Sequence, residues 1–146
     1  MNTIMMKKII YLKLRIVMAL IFLWAFFDKL FGLGFATTSE KAWIHGGSPT
    51  YGFLMFGTKG PFVEFFQSLA GIGLVDWLFM LGLLGVGITL LINRFVFWGA
   101  LVGSVMMFLM WLALLPPENN PILDDHIVYM LVFWVLAIYN RETKHT

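Results

Sequence analysis

The run FVFWGALVGSVMMFLMWLALL, residues 95–115, decides the fold because it is long, apolar and free of charged side chains. A helix crosses the hydrocarbon core of a bilayer with roughly 20 apolar residues, each adding about 1.5 Å along the helix axis. Residues 95–115 reach this length without interruption. They therefore predict a membrane-spanning helix, with the rest of the chain arranged around it.

The surrounding sequence has the composition of a membrane protein. Hydrophobic residues make up 60% of the chain and charged residues only 12%, whereas about a quarter of the residues in a soluble domain are charged. Four segments are predicted to be membrane helices: residues 9–36, 74–93, 95–115 and 121–140. A chain of 146 residues has room for a single domain. We therefore expect an all-α, integral membrane four-helix bundle that occupies residues 1–146.

Charged residues predict how this bundle is oriented. Basic residues lie before or near the start of the first segment, between the second and third, and after the fourth: Lys7, Lys8, Lys13, Arg15, Arg94, Arg141 and Lys144. Acidic residues gather at the opposite ends: Asp28, Glu40, Glu64, Asp76, Glu118, Asp124 and Asp125. The positive-inside rule then predicts a multi-pass protein of the cytoplasmic (inner) membrane with both termini in the cytoplasm. This orientation accounts for the net charge of +2, so no nucleic acid partner is expected.

The connection between the first and second segments, residues 37–73, is longer than a bundle needs and is expected to be structured outside the cytoplasm. Its middle part, residues 43–53, is rich in aromatic residues, Gly and Pro, which suits irregular backbone at the membrane surface. Pro61 suits the first position of a short helix over residues 61–70. That helix is predicted to lie in the membrane interface on one apolar face: Phe62, Phe65, Phe66 and Leu69.

Several kinds of chemistry are excluded by missing residues or motifs. The chain has no cysteine, which excludes disulfides, thiolate-bound metals, iron–sulfur clusters and thiol catalysis. It carries no phosphate-binding loop, nucleophile elbow or dinucleotide fingerprint. The histidines His45, His126 and His145 have no spacing that supports a haem or a zinc site. No metal and no haem are therefore predicted.

Asp28 and Lys29 lie inside the first apolar segment, which is kept as a mature helix because no small-x-small signal-peptidase site follows it. A charge inside a membrane helix costs several kcal/mol unless it is paired or hydrated. One interpretation is structural: Lys29 extends its ammonium to the interface, and a backbone or tyrosine donor satisfies Asp28. The other interpretation is that both residues belong to a functional site.

The fourth segment opens with NPILDDHIVY, residues 120–129, and is predicted to begin as a helix at its Asn-Pro pair. Carboxylates favour the N-terminal end of a helix, so capping alone explains the two aspartates. His126 next to Asp125 is also suited to relaying protons between a buried ligand and the outer aqueous phase. Tyr129 shares the helix face of this pair. Capping and proton relay both stay open.

These residues are expected to converge on one extracytoplasmic pocket beneath residues 43–53, because each is costly in apolar surroundings without a polar partner. The predicted catalytic residues are Asp28, Lys29, Asp125 and His126. The predicted lining of the substrate pocket is Trp43, His45, Asp76, Met110, Trp111 and Tyr129. Met110 and the methionines near it suit either a flat hydrophobic ligand or the filling of a core.

Three stretches resemble the DoxX-like family of small membrane proteins, and most closely the DoxD-type small subunit of thiosulfate:quinone oxidoreductase. They are WAFFDKL at residues 24–30, the loop at residues 43–53, and NPILDDHIVY at residues 120–129. The resemblance spans nearly the whole chain. It implies oxidation of thiosulfate to tetrathionate on the extracytoplasmic side, a membrane quinone as electron acceptor, and a DoxA-like second subunit as partner.

Three hypotheses about function remain. The first is a quinone-reducing subunit of an oxidoreductase, with the quinone in the predicted pocket. The second is a non-catalytic membrane adaptor or scaffold for such a complex, because the sequence contains no recognisable redox centre. The third is a small proton-coupled carrier, which ranks last because the cytoplasmic halves of the segments look dry. The expected partners are the lipid bilayer, a DoxA-like subunit and further copies of this chain.

Overall fold

The computed structural model describes residues 2–144 of the chain, and within this range it contains helices, turns and loops but no strand. Five α-helices follow one another along the chain: α1 (Thr3–Phe31), α2 (Val63–Ser68), α3 (Gly73–Leu91), α4 (Val96–Ala113) and α5 (Asp125–Lys144). The all-helical prediction is confirmed. Among the described residues, α1, α3 and α4 are long and apolar enough to cross a membrane.

The four long helices pack against one another in an antiparallel order. Helix α1 packs on α3, α3 on α4, and α4 most extensively on α5, while α1 and α5 make a smaller contact. We call the end that contains the short α3–α4 turn the hairpin end, and the end that contains residues 32–72 the loop end. Phe22 of α1 and Phe133 of α5 meet edge to face in the core, with ring centroids 5.3 Å apart.

Small residues let the helices approach closely, as the glycine spacing of the second and third apolar segments predicts. Gly99 faces the side chain of Thr89, and Gly103 faces the ring of Phe133, so that a β-carbon at either glycine would collide with its neighbour. Gly82 lies in the same way against the Met106 thioether. Gly85 instead faces open space. The contact at Gly82 fixes where α3 and α4 touch.

Helix α1 is displaced from its predicted range of 9–36, because it begins six residues earlier and ends five residues earlier. The side chain of Asn2 caps its start, and Gly32 ends it in the left-handed conformation with φ 65°. The Gly32 amide donates to the carbonyl of Asp28 over 2.8 Å, a typical C-terminal cap. As a result, Asp28 and Lys29 lie in the last turn of α1 rather than well inside the helix.

Helix α5 begins at Asp125, four residues later than predicted. The side chain of Asn120 accepts hydrogen bonds from the amides of Ile122 and Leu123, over 2.9 and 2.8 Å, and so closes a turn instead of capping a helix. Asp124 takes over as the cap, because its carboxylate accepts the His126 amide over 3.0 Å.

Arg15 lies within α1 and is buried. Its guanidinium donates to the main-chain oxygens of Leu90 and Leu91, at the C-terminal end of α3. A cation favours the negative end of a helix, so Arg15 stabilises the hairpin end. Asn140 donates to the Tyr11 hydroxyl nearby over 3.3 Å. The hairpin end is therefore more polar than the sequence suggested.

Residues 32–72 form an ordered connection of short turns at the loop end. The turns are Ser39–Lys41, Trp43–His45 and Gly60–Phe62, with a π-helical turn at Phe53–Gly57. The short helix expected over residues 61–70 spans Val63–Ser68, and its apolar face is divided. Phe66 is buried and Leu69 packs beside it, whereas Phe62 and Phe65 are exposed.

Candidate functional site

A cavity of about 400 Å³ lies at the loop end. Its walls come from α1, α2, α3, α4 and the loop segment of residues 48–54, which we call the roof segment. The lining is almost entirely apolar: Pro49, Phe53, Leu54, Phe66, Leu69, Val75, Leu78, Phe79, Met106, Leu109 and Met110, together with Thr50 and Lys29. We call it the apolar cavity. Its size and lining are those of a site for a small hydrophobic ligand.

Lys29 is, among the described residues, the ionisable side chain that lines the apolar cavity. Its ammonium nitrogen lies 5.9 Å from the centre of the Phe79 ring, over which a cation is favoured. No carboxylate lies within 4 Å of this nitrogen in the part of the chain that the structure describes. The amine is therefore available to donate hydrogen bonds to a ligand in the cavity.

Asp28 is 1% exposed and does not reach the cavity, because the loop after α1 folds back onto it. Its two carboxylate oxygens accept the amides of Phe35 and Ala36, over 3.2 and 2.8 Å. Of the two interpretations of Asp28, the geometry favours the structural one, with backbone donors satisfying the charge. Asp28 holds the start of the loop against the end of α1.

Asp76 fastens the roof segment to the first turn of α3. It is 7% exposed, and its Oδ1 atom accepts the Ser48 hydroxyl over 2.8 Å, the Thr50 hydroxyl over 2.6 Å and the Thr50 amide over 3.3 Å. Hydrogen bonds to an ionised acceptor are among the stronger ones in proteins. Because Thr50 lines the apolar cavity, Asp76 sets the position of the cavity's roof without lining it.

A second cavity, of about 270 Å³, lies between the end of α4 and the start of α5. Most of its lining residues carry polar or ionisable groups: Lys59, Glu118, Asn119, Asp124, Asp125 and His126, with Leu114, Pro117 and Leu123. We call it the polar cavity. The His126 Nδ1 atom lies 2.8 Å from the Asp124 carboxylate, and both side chains are largely buried. A carboxylate that holds one imidazole nitrogen leaves the other free to exchange protons.

The partner of His126 is Asp124 and not Asp125, which is exposed. The sequence contained the signal for this pairing. An aspartate at an N-cap accepts the amide of the residue two positions later, and this places Asp124 beside His126. The prediction set the helix start four residues too early and named Asp125, whereas the carboxylate beside His126 is that of Asp124.

The other residues predicted for the pocket are dispersed. Met110 lines the apolar cavity, whereas Trp111 donates its indole N–H to the Ile122 carbonyl over 2.6 Å.

His45, in the loop, is exposed, and its Nδ1 atom lies 2.8 Å from the Ser39 carbonyl. Trp43 packs edge to face on Trp77, with ring centroids 4.7 Å apart, and Tyr129 packs against the core. The prediction of a single pocket is therefore replaced by two cavities.

The two cavities are lined by different residues of the same two regions, the end of α4 and the loop before α2. On α4, Met110 lines the apolar cavity and Leu114, just past the helix end, lines the polar one, about 6 Å apart along the axis. In the loop, Leu54 lines the first and Lys59 the second. Leu54, Phe66 and Ala113 form a small buried apolar cluster in this region. The apolar cavity and the polar cavity therefore lie in the same region of the molecule, and their linings differ in polarity.

The most useful residues that sequence reasoning missed are Thr50, Phe53 and Phe79, which line the apolar cavity. Phe79 lies one turn after Asp76 on α3, so helical spacing alone could have placed it on the same face. No protein-family model matches the chain, and neither a curated protein nor a solved structure matches it.

Proposed function

We propose that the protein is a DoxX-like subunit of a quinone-linked membrane oxidoreductase and binds the quinone in the apolar cavity. The observation that carries the proposal is that cavity: about 400 Å³, apolar, and supplied with a hydrogen-bond donor by Lys29. A quinone is a flat apolar ring with carbonyl oxygens that accept hydrogen bonds. A few polar groups in an apolar pocket are what orient such a ligand.

The chain's own residues bind and orient the acceptor in this proposal. Lys29 donates to a ring oxygen, Asp76 keeps the roof segment closed through Thr50, and the apolar lining keeps water away from the ring. A bound quinone supplies the two-electron chemistry. The electrons come from thiosulfate through a DoxA-like subunit, as the sequence resemblance implies, since quinone reduction needs a donor outside this chain.

In the proposed membrane arrangement, α1, α3, α4 and α5 cross the cytoplasmic membrane as a four-helix bundle, and α2 lies in the outer interface. Helix α5 has 20 residues, about 30 Å long, and residues 127–138 carry no charge. Basic residues at the hairpin end support a cytoplasmic location for that end: Lys7, Lys8, Lys13, Arg94 and Arg141.

Cysteine labelling tests this topology, because the chain has no cysteine of its own. Glu40→Cys in the exposed loop should react with an impermeant maleimide added to spheroplasts. Lys8→Cys, near the start of α1, should react only after the membrane is permeabilised. The reverse pattern would show that the orientation is inverted.

Quinone binding is tested with the purified protein in lipid nanodiscs and a photoreactive azidoquinone. We expect crosslinks to α3 and α4 beside the cavity, at residues 75–79 and 106–110. Val75→Phe, which places a ring in the cavity, should remove the crosslinks, whereas Val105→Phe on an exposed face of α4 should not. Crosslinks that survive Val75→Phe, or none in the wild type, would favour the adaptor hypothesis.

His126 and Asp124 are proposed to deliver the protons that quinone reduction consumes. Proton transfer by a positioned side chain contributes roughly 100-fold or more to a rate. Membranes that contain the native partner should therefore reduce quinone with thiosulfate about 100-fold more slowly when they carry His126→Gln. Asp124→Asn should also be slow, and Asp125→Asn should match the wild type. Equal rates for wild type and His126→Gln, at equal protein levels, would exclude this role.

A further inference from the structure

The apolar cavity is exposed at one place, beside two lining leucines of α3 and α4. Leu78 of α3 and Leu109 of α4 both line the cavity, yet they are 63% and 44% exposed. One turn away, the two helices touch where Gly82 meets the Met106 thioether. The cavity is therefore exposed beside Leu78 and Leu109, on the loop-end side of that contact.

The roof and the opening lie on different sides of the cavity. The roof segment closes the loop end, where Asp76 holds Ser48 and Thr50. Lys29 comes from α1, which packs on α3 and has no substantial packing against α4. A ligand with a polar head and an apolar tail therefore fits in one orientation, with its head near Lys29 and its tail toward the exposed leucines.

The volume of the apolar cavity is larger than a single quinone ring needs. A cavity of about 150 Å³ is enough to hold one benzene molecule, and the apolar cavity has about 400 Å³. A single quinone ring would leave apolar space unfilled. The first units of an attached isoprenoid chain would fill that space and continue into the bilayer.

We propose that the gap between Leu78 and Leu109 is a lateral portal, and that the ligand of the apolar cavity is a quinone with an isoprenoid tail that leaves through it. This inference rests on the proposed function and specifies the substrate class. The tail is a binding determinant here because it covers the exposed leucines with apolar surface. Entry from the bilayer then requires no opening of the roof segment.

The test compares the affinities of one naphthoquinone ring carrying no tail, a short isoprenoid tail or a long one, measured in nanodiscs. Wild type should bind the tailed compounds at least tenfold more tightly than the tailless ring, after correction for their partition into lipid. Leu78→Trp and Leu109→Trp narrow the portal and should weaken binding of the tailed compounds much more than binding of the tailless ring, so that most of this preference is lost. Leu81→Trp, on an exposed face of α3 away from the cavity, should behave like wild type.

Each outcome separates the portal from the proposed function. An unchanged preference in both portal variants, or an equal loss for tailed and tailless rings, overturns the portal and leaves quinone binding intact. If no quinone binds to wild type, mass spectrometry of the detergent-purified protein distinguishes two cases. A phospholipid retained by wild type and Leu81→Trp but lost from the portal variants keeps the portal and overturns the quinone. No retained lipid overturns both.

Discussion

If the apolar cavity binds a quinone as proposed, Lys29→Met should lower the affinity for it by about tenfold or more without destabilising the protein. A hydrogen bond from a charged donor is worth roughly 1.5–3 kcal/mol, and each 1.4 kcal/mol changes a dissociation constant about tenfold. Methionine keeps the length and the apolar body of the lysine side chain and removes its donor. Titration of nanodisc-embedded protein with a tailed quinone measures the change.

The stability of the same variant distinguishes a binding role from a structural one. Lys29 has no carboxylate within salt-bridge distance among the described residues, and an unpaired ammonium in an apolar cavity is costly. Lys29→Met should therefore unfold at the same temperature as wild type or a higher one. Lys41→Met, at an exposed loop position, should change neither property. A lower unfolding temperature for Lys29→Met together with unchanged affinity would assign Lys29 a structural role.

Hydropathy was sufficient for α4, because an uncharged apolar run has no competing structure in a membrane. Predicted over residues 95–115, it spans Val96–Ala113. Hydropathy failed at the end of α1, where residues 32–36 remain mostly apolar but Gly32 adopts the left-handed conformation and ends the helix. At the start of α5, a local turn closed by Asn120 replaced the expected cap. At the end of α1 and at the start of α5, a local backbone conformation decided the helix boundary, and the apolar composition of the segment did not.

The candidate site was harder to predict because its partners are distant in sequence. Asp76 meets Ser48 and Thr50 only after the loop folds back over α3, and no spacing rule connects these positions. Lys29 was identified correctly as an unusual residue, because a charge in an apolar segment is costly. No carboxylate lies within 4 Å of its ammonium among the described residues. What surrounds it is a cavity, which a sequence does not display.

Asp76→Ala should release the roof segment and produce the largest loss of stability proposed for a single residue here. The substitution removes the acceptor of three hydrogen bonds and leaves the buried Thr50 hydroxyl and amide without it. A buried polar group that loses its partner costs about 1–3 kcal/mol, so we expect a loss of about 3 kcal/mol in unfolding free energy. Asp76→Asn keeps an acceptor oxygen of the same shape and should lose less.

Hydrogen exchange locates the effect of Asp76→Ala. Amides of residues 48–54 should exchange faster in this variant, while those in the middle of α4 keep their protection, because the helix packing is untouched. Quinone affinity should fall in parallel, since Thr50, Phe53 and Leu54 line the apolar cavity. Glu64→Ala, which removes an exposed carboxylate at the same end of the molecule, serves as the matched control. Unchanged exchange at residues 48–54 in Asp76→Ala would mean that packing, and not this carboxylate, holds the roof in place.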